Sequence, residues 1–187
     1  MLPLSSSEFL PIDGRLWQFA LRVYRQDGVP TACLALQDHF EADVTLLLFA
    51  GWVAVELQMN LSPEQCMQVN NLVSPWHQHI VKTLRQMRIS LKSGPSPAPI
   101  GETEYLRADI KAAELKAECL ELAFLENISS KWIRPELSGG TDPVRSNLVM
   151  ILRLTTKAES VERASCYLDI LERAIWQVKN QPNYTRV

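Results

Sequence analysis

The sequence predicts an all-α protein, a helical bundle of about eight helices with no β-sheet. Glycine is scarce, at 7 of 187 residues, and strand-forming residues never alternate with polar ones over a useful length. Apolar residues instead recur three and four positions apart, between recognisable caps and prolines. The block from Leu16 to Trp52, LWQFALRVYRQDGVPTACLALQDHFEADVTLLLFAGW, is the most apolar stretch. Most of its charges (Arg25, Asp27, Asp38, Glu41, Asp43) sit at the joints, so it is the expected hydrophobic centre.

Asp13 is the expected N-cap of a first helix over 14–26, where Leu16, Phe19, Ala20, Val23 and Tyr24 share a face and Asp27-Gly28 ends it. Pro30 suits the first turn of a second helix over 29–39, because a proline there gives up an N–H that had no partner. Asp43 caps a third helix, 43–59, apolar nearly all round and therefore central. Ser62-Pro63-Glu64-Gln65 is a capping box that opens a fourth. Ser74-Pro75 either kinks that helix or begins a fifth, reaching Ser93 with Ile80, Leu84, Met87 and Leu91 as its buried stripe.

Residues 94–101 form a proline-rich connector that cannot continue a helix. It separates an N-terminal bundle, 12–93, from C-terminal helices, 102–180, which are expected to pack on it as one compact domain. From Thr103 to about Trp132 the residues Leu106, Ile110, Ala113, Ala117, Leu120 and Phe124 make a heptad seam, and Leu115, Leu122 and Leu125 make a second stripe. Arg134-Pro135 ends that helix. Asp142-Pro143 caps the next, with Val144, Leu148, Ile151 and Leu152. Ser160 is expected to cap the last, with Val161, Ala164, Leu168, Leu171, Ile175 and Val178.

Composition excludes several classes of function. Formal net charge is −2 and neither half is a polycation, so global capture of nucleic acid or of an anionic membrane is not expected. Cys33, Cys66, Cys119 and Cys166 lie far apart with no C-x-x-C pair; reduced thiols in a cytosol are expected, not a zinc or disulfide framework. The longest apolar run, Val44 to Val55, is too short to span a bilayer, and the N-terminal residues lack a secretory pattern. The expected protein is cytoplasmic.

LWQFALRVY, GVPTACLALQ, ADVTLLLFAGW, Pro75-Trp76 and LRQMRISLK together resemble a proteobacterial family of small proteins of unknown function. The resemblance covers about the first half of the chain. Two positions depart from that family's pattern: Ala42 stands where glycine is expected, and His77 where arginine is. The resemblance implies a bacterial cytosolic helical protein and brings no activity.

One constellation stands out for binding. Lys82, Arg85, Arg88 and Lys92 follow helical spacing, with Trp76, His77 and His79 nearby and no acid from Trp76 to Gly94. Such a face suits an acidic protein partner, a phosphate or an RNA backbone. The competing reading is a solvated face paired with the acids of residues 102–126. A second candidate is a pocket between the second, third and fifth helices, using Gln37, Asp38 and Asp43 with Arg85; there, Asp43 as a cap and Asp38 as a surface residue is the plainer account. Di-iron bundles need Glu-x-x-His motifs, which Glu114, Glu118 and Glu121 lack, so no metal and no cofactor are expected. No nucleotide loop or nucleophile motif is present. The expected function is therefore a non-enzymatic protein-interaction or regulatory factor using the basic helix face. A small-ligand binder or enzyme is second and RNA binding third.

Overall fold

Helix ends fall where backbone donors and acceptors find substitutes, and these substitutes fix the geometry of the whole molecule. The computed structural model describes residues 12–94, 100–132, 143–156 and 158–181, and every regular element among them is helical. The connector core at 95–99, the expected stop at Arg134-Pro135 and the cap at Asp142 lie outside the described residues.

Helix α1, Arg15–Tyr24, is capped from a distance. Gly14 is its N-cap residue and offers no side chain. The Glu126 carboxylate instead accepts from the Arg15 N–H at 3.2 Å and the Leu16 N–H at 3.0 Å. A Cβ at Gly14 would run into Glu126 Oε2. The expected cap, Asp13, does not take that role. Gly28, at φ 81°, turns the chain into α2, Val29–Phe40. Asp43 then caps α3, Val44–Trp52, its Oδ1 accepting from the Leu46 N–H at 3.1 Å.

All nine residues of α3 are buried. The helix widens into a π turn, Val53–Leu57, closed by Gln58 at φ 55°. The capping box forms between Ser62 and Gln65 and opens α4, Pro63–Trp76. Pro75 lies inside α4, where its ring removes an N–H and crowds the carbonyl one turn back. A second π turn, His77–Val81, follows at once and leads into α5, Lys82–Ser90. The fourth and fifth helices are thus one interrupted rod.

The remaining elements are α6, Ile100–Ser129; α7, Pro143–Thr155; α8, Ala158–Arg163; and α9, Ser165–Lys179. The expected single last helix is divided at Ala164, which has turn geometry.

α3 is the axis of the core, and α1, α6, α7 and α9 pack around it. Gly51 lets Ile175 of α9 come close to the α3 backbone, where a Cβ would collide with its Cδ1. Asn147 of α7 is fully buried and fully used. Its Oδ1 accepts from the Leu61 N–H at 2.8 Å, and its Nδ2 donates to the Met59 carbonyl at 2.9 Å and the Ala50 carbonyl at 3.3 Å. This one amide satisfies the loosened end of α3. Side chains from both sides of the connector share the core.

α5 and α6 behave differently. They run antiparallel and extend as an arm. α5 buries no residue, and the first turns of α6 are largely exposed up to Ile110. The expected buried stripe on α5 is corrected accordingly: Ile80 and Met87 are exposed, and Leu84 and Leu91 only half-buried. On α6, Leu106, Ala113 and Leu115 are exposed, whereas Ile110, Ala117, Leu122 and Leu125 are buried. Periodicity reported which residues share a face but not where a 30-residue helix outruns its neighbours.

Candidate functional site

The seam where the arm joins the bundle collects the buried acids and the buried histidine among the described residues. Three elements deliver them. The N-cap of α3 brings Asp43, the π turn brings His77, and α6 brings Glu114, Glu118 and Glu121 on one face, spaced four and three apart.

His77 Nδ1 lies 3.1 Å from Asp43 Oδ2 and 3.2 Å from Glu121 Oε2. All three residues are buried, at 4%, 6% and 0% exposure. Burial holds the His77 imidazole below its ordinary range, although the Asp43 carboxylate pulls the other way. Burial and the adjacent Asp43 carboxylate push Glu121 well above the carboxylate range, because two negative charges in a desolvated site disfavour one another. Glu121 Oε1 is buried without a hydrogen-bond partner. An orphaned buried carboxylate oxygen is costly.

One turn along, the arginines enter. Arg85 Nε donates to Glu114 Oε1 at 2.9 Å and its Nη2 to Glu118 Oε1 at 2.8 Å. Arg88 donates through Nε and Nη2 to the same Glu114 carboxylate. Burial raises Glu114, but the Arg88 and Arg85 hydrogen bonds outweigh it and hold the carboxyl low. Glu118 gets less help. Burial pushes it up to about 7 despite Arg85. Trp76 locks the seam from one end: its indole N–H donates to the Ala117 carbonyl at 3.0 Å, and its ring meets Phe124 edge-on at 5.9 Å.

The residues singled out in the sequence therefore separate into three groups. His77, Arg85, Arg88 and Trp76 turn toward α6. Lys82, half-buried, and Lys92, exposed, remain on the outer face of the arm. Asp43 is a cap that also faces His77, while Gln37 is half-buried and Asp38 exposed on α2. Sequence reasoning weighs Glu121 only as a di-iron ligand, with Glu114 and Glu118, and sets it aside for want of a Glu-x-x-His motif. Its signal was there: acids at 114, 118 and 121 repeat at the spacing of an apolar seam, which an all-solvent face does not require.

A cleft of about 550 Å³ runs along the outer side of the arm, lined by Lys82, Gln86, Met87, Leu91, Leu106 and Ile110 among others. Two further clefts lie at α9 beside the end of α1. Gln37, Asp38 and Asp43 line none of the three. No helix among the described residues is long and apolar enough to cross a membrane.

A family model described as "protein of unknown function (DUF2390)" matches residues 15–125. That is more than half of the chain, and the chain belongs to this family. The matched span contains every residue of the buried seam. No curated protein and no solved structure matches the chain.

Proposed function

We propose that this member of the DUF2390 family is a non-enzymatic protein-interaction factor of the cytosol, with the α5–α6 arm as its contact surface. The apolar groove along the arm carries this reading. Met87 and Leu106, which line it, are 49% and 51% exposed, and Ile89 and Tyr105 are further exposed side chains on the same two helices; large apolar side chains left exposed in this way suit a partner surface. Lys82 lines it at the start of α5, a helix that bears no acid, and Lys92 is exposed just past the end of that helix. An amphipathic partner helix with acidic flanks fits both features, its apolar stripe in the groove and its acids beside the lysines. The four cysteines are free thiols, in keeping with a reducing compartment.

The basic stripe takes a changed part in this reading. Arg85 and Arg88 are engaged by Glu114 and Glu118, so they stiffen the arm, and the lysines supply the outward charge. The same engagement weighs against RNA, whose backbone binding rests on several available cations along one track. The small-ligand or enzyme reading draws little support from the three clefts at the arm and at α9, none of which is lined by Gln37, Asp38, Asp43 or Arg85.

The test is site-specific crosslinking in cells. A photoreactive amino acid at Met87 should trap a discrete protein that survives nuclease treatment, and the same group at Thr31, exposed on α2, should not. Leu106→Glu should remove the adduct with the helical circular dichroism unchanged. Adducts destroyed by nuclease, or the same adducts from both positions, would refute the reading.

A further inference from the structure

We infer that Asp43, His77 and Glu121 form a binding site for a first-row divalent cation, which would tie the N-terminus of α3, the second π turn and α6 together. The donor atoms of the three residues all lie within 4.8 Å of one another. An ion about 2.1 Å from each of its ligands sets neighbouring donors roughly 3.0–3.4 Å apart. The two separations at His77 Nδ1, 3.1 and 3.2 Å, fall in that window.

The orphaned Glu121 Oε1 is the second observation. Native interiors rarely leave a carboxylate oxygen buried without a donor, and a cation held by both oxygens of Glu121 would occupy Oε1 as well as Oε2, the oxygen that faces His77. Asp43 is suitably divided: Oδ1 is committed to the Leu46 N–H, which fixes the carboxylate, and Oδ2 faces the cluster. Of the two cations whose charge is felt at His77, Lys82 and Arg85, Arg85 is held on Glu114 and Glu118. Two carboxylates neutralise a dication, and a neutral imidazole completes the set.

The chemistry of the donors narrows the ion. Two carboxylate oxygens and one imidazole nitrogen suit zinc, manganese or ferrous iron. Imidazole disfavours magnesium and calcium, and the lack of thiolate disfavours copper(I). The histidine and the carboxylates come from three separate elements, which is why helix-local motifs such as Glu-x-x-His give no hint of the site.

The experiment uses the full chain with Cys166→Ser, which removes the exposed thiol as a competing ligand. The chelator-stripped protein is refolded with zinc(II) and, separately, with manganese(II), then dialysed and analysed for bound metal and Tm. The expected result is one equivalent of at least one of the two metals, with a raised Tm. Glu121→Gln keeps the shape of a protonated carboxyl, so it should fold with a metal-free Tm close to that of the parent, and lose both retention and the shift. His77→Gln should do the same and serves if the first variant does not fold. Retention of neither metal, or equal retention by the folded variants, would overturn the assignment.

Discussion

In α3 every residue is buried, and in α5 none is, yet both helices occupy fixed places in one molecule. α3 is held by volume. Phe49 stacks on Trp52 at 6.3 Å and meets Trp132 edge-on at 5.9 Å, and Gly51 admits Ile175. α5 is held by charge, through Arg85 and Arg88 on the carboxylates of α6. The comparison teaches that the two adhesives fail differently. Removing atoms from an apolar centre leaves a hole that no other change nearby refills without redesign. Removing one partner of an ion pair leaves a charge that can itself be removed.

The largest effect should come from the centre. Phe49→Ala discards two ring contacts in a fully buried position and should cost about 3–5 kcal/mol, read as a lowered urea midpoint. A smaller, reversible effect is expected at the seam. Glu114→Ala leaves Arg88 without its carboxylate and Arg85 with only Glu118, and should cost about 1–3 kcal/mol, given that both guanidinium groups keep some solvent. Adding Arg88→Met to Glu114→Leu should recover most of that loss. A double-mutant cycle by chemical denaturation checks this, and a double variant as unstable as Glu114→Ala alone would erase the distinction between the regions. The smallest effect lies between them, at the remote cap. Glu126→Ala should cost about 1 kcal/mol, since two N–H groups of α1 lose their acceptor but can turn to water. A thermal melt resolves it.

The two regions were also unequally legible in the sequence. Around α3, the run from Val44 to Val55 and the caps at Asp43 and Ser62 place the helices and the core with little ambiguity, because they depend on residues within a few positions of one another. In the seam, the sequence shows a basic stripe and acids at 114, 118 and 121, but not that they face each other. His77 reads as part of an outward cationic face and lies buried between two carboxylates. Met87 and Leu106 read as core and line an open groove.

The sequence by itself determined that the chain is helical, where most helices begin, and that α3 lies at the centre, since capping and amphipathic spacing are local properties of the chain. Only the tertiary structure decided that Glu126 caps α1, that Asn147 satisfies the end of α3, and that Asp43, His77 and Glu121 meet. Those contacts join residues 34 to 111 positions apart in the chain, and their existence depends on how helices cross, a quantity set by the packing of whole faces and carried by no short stretch of sequence.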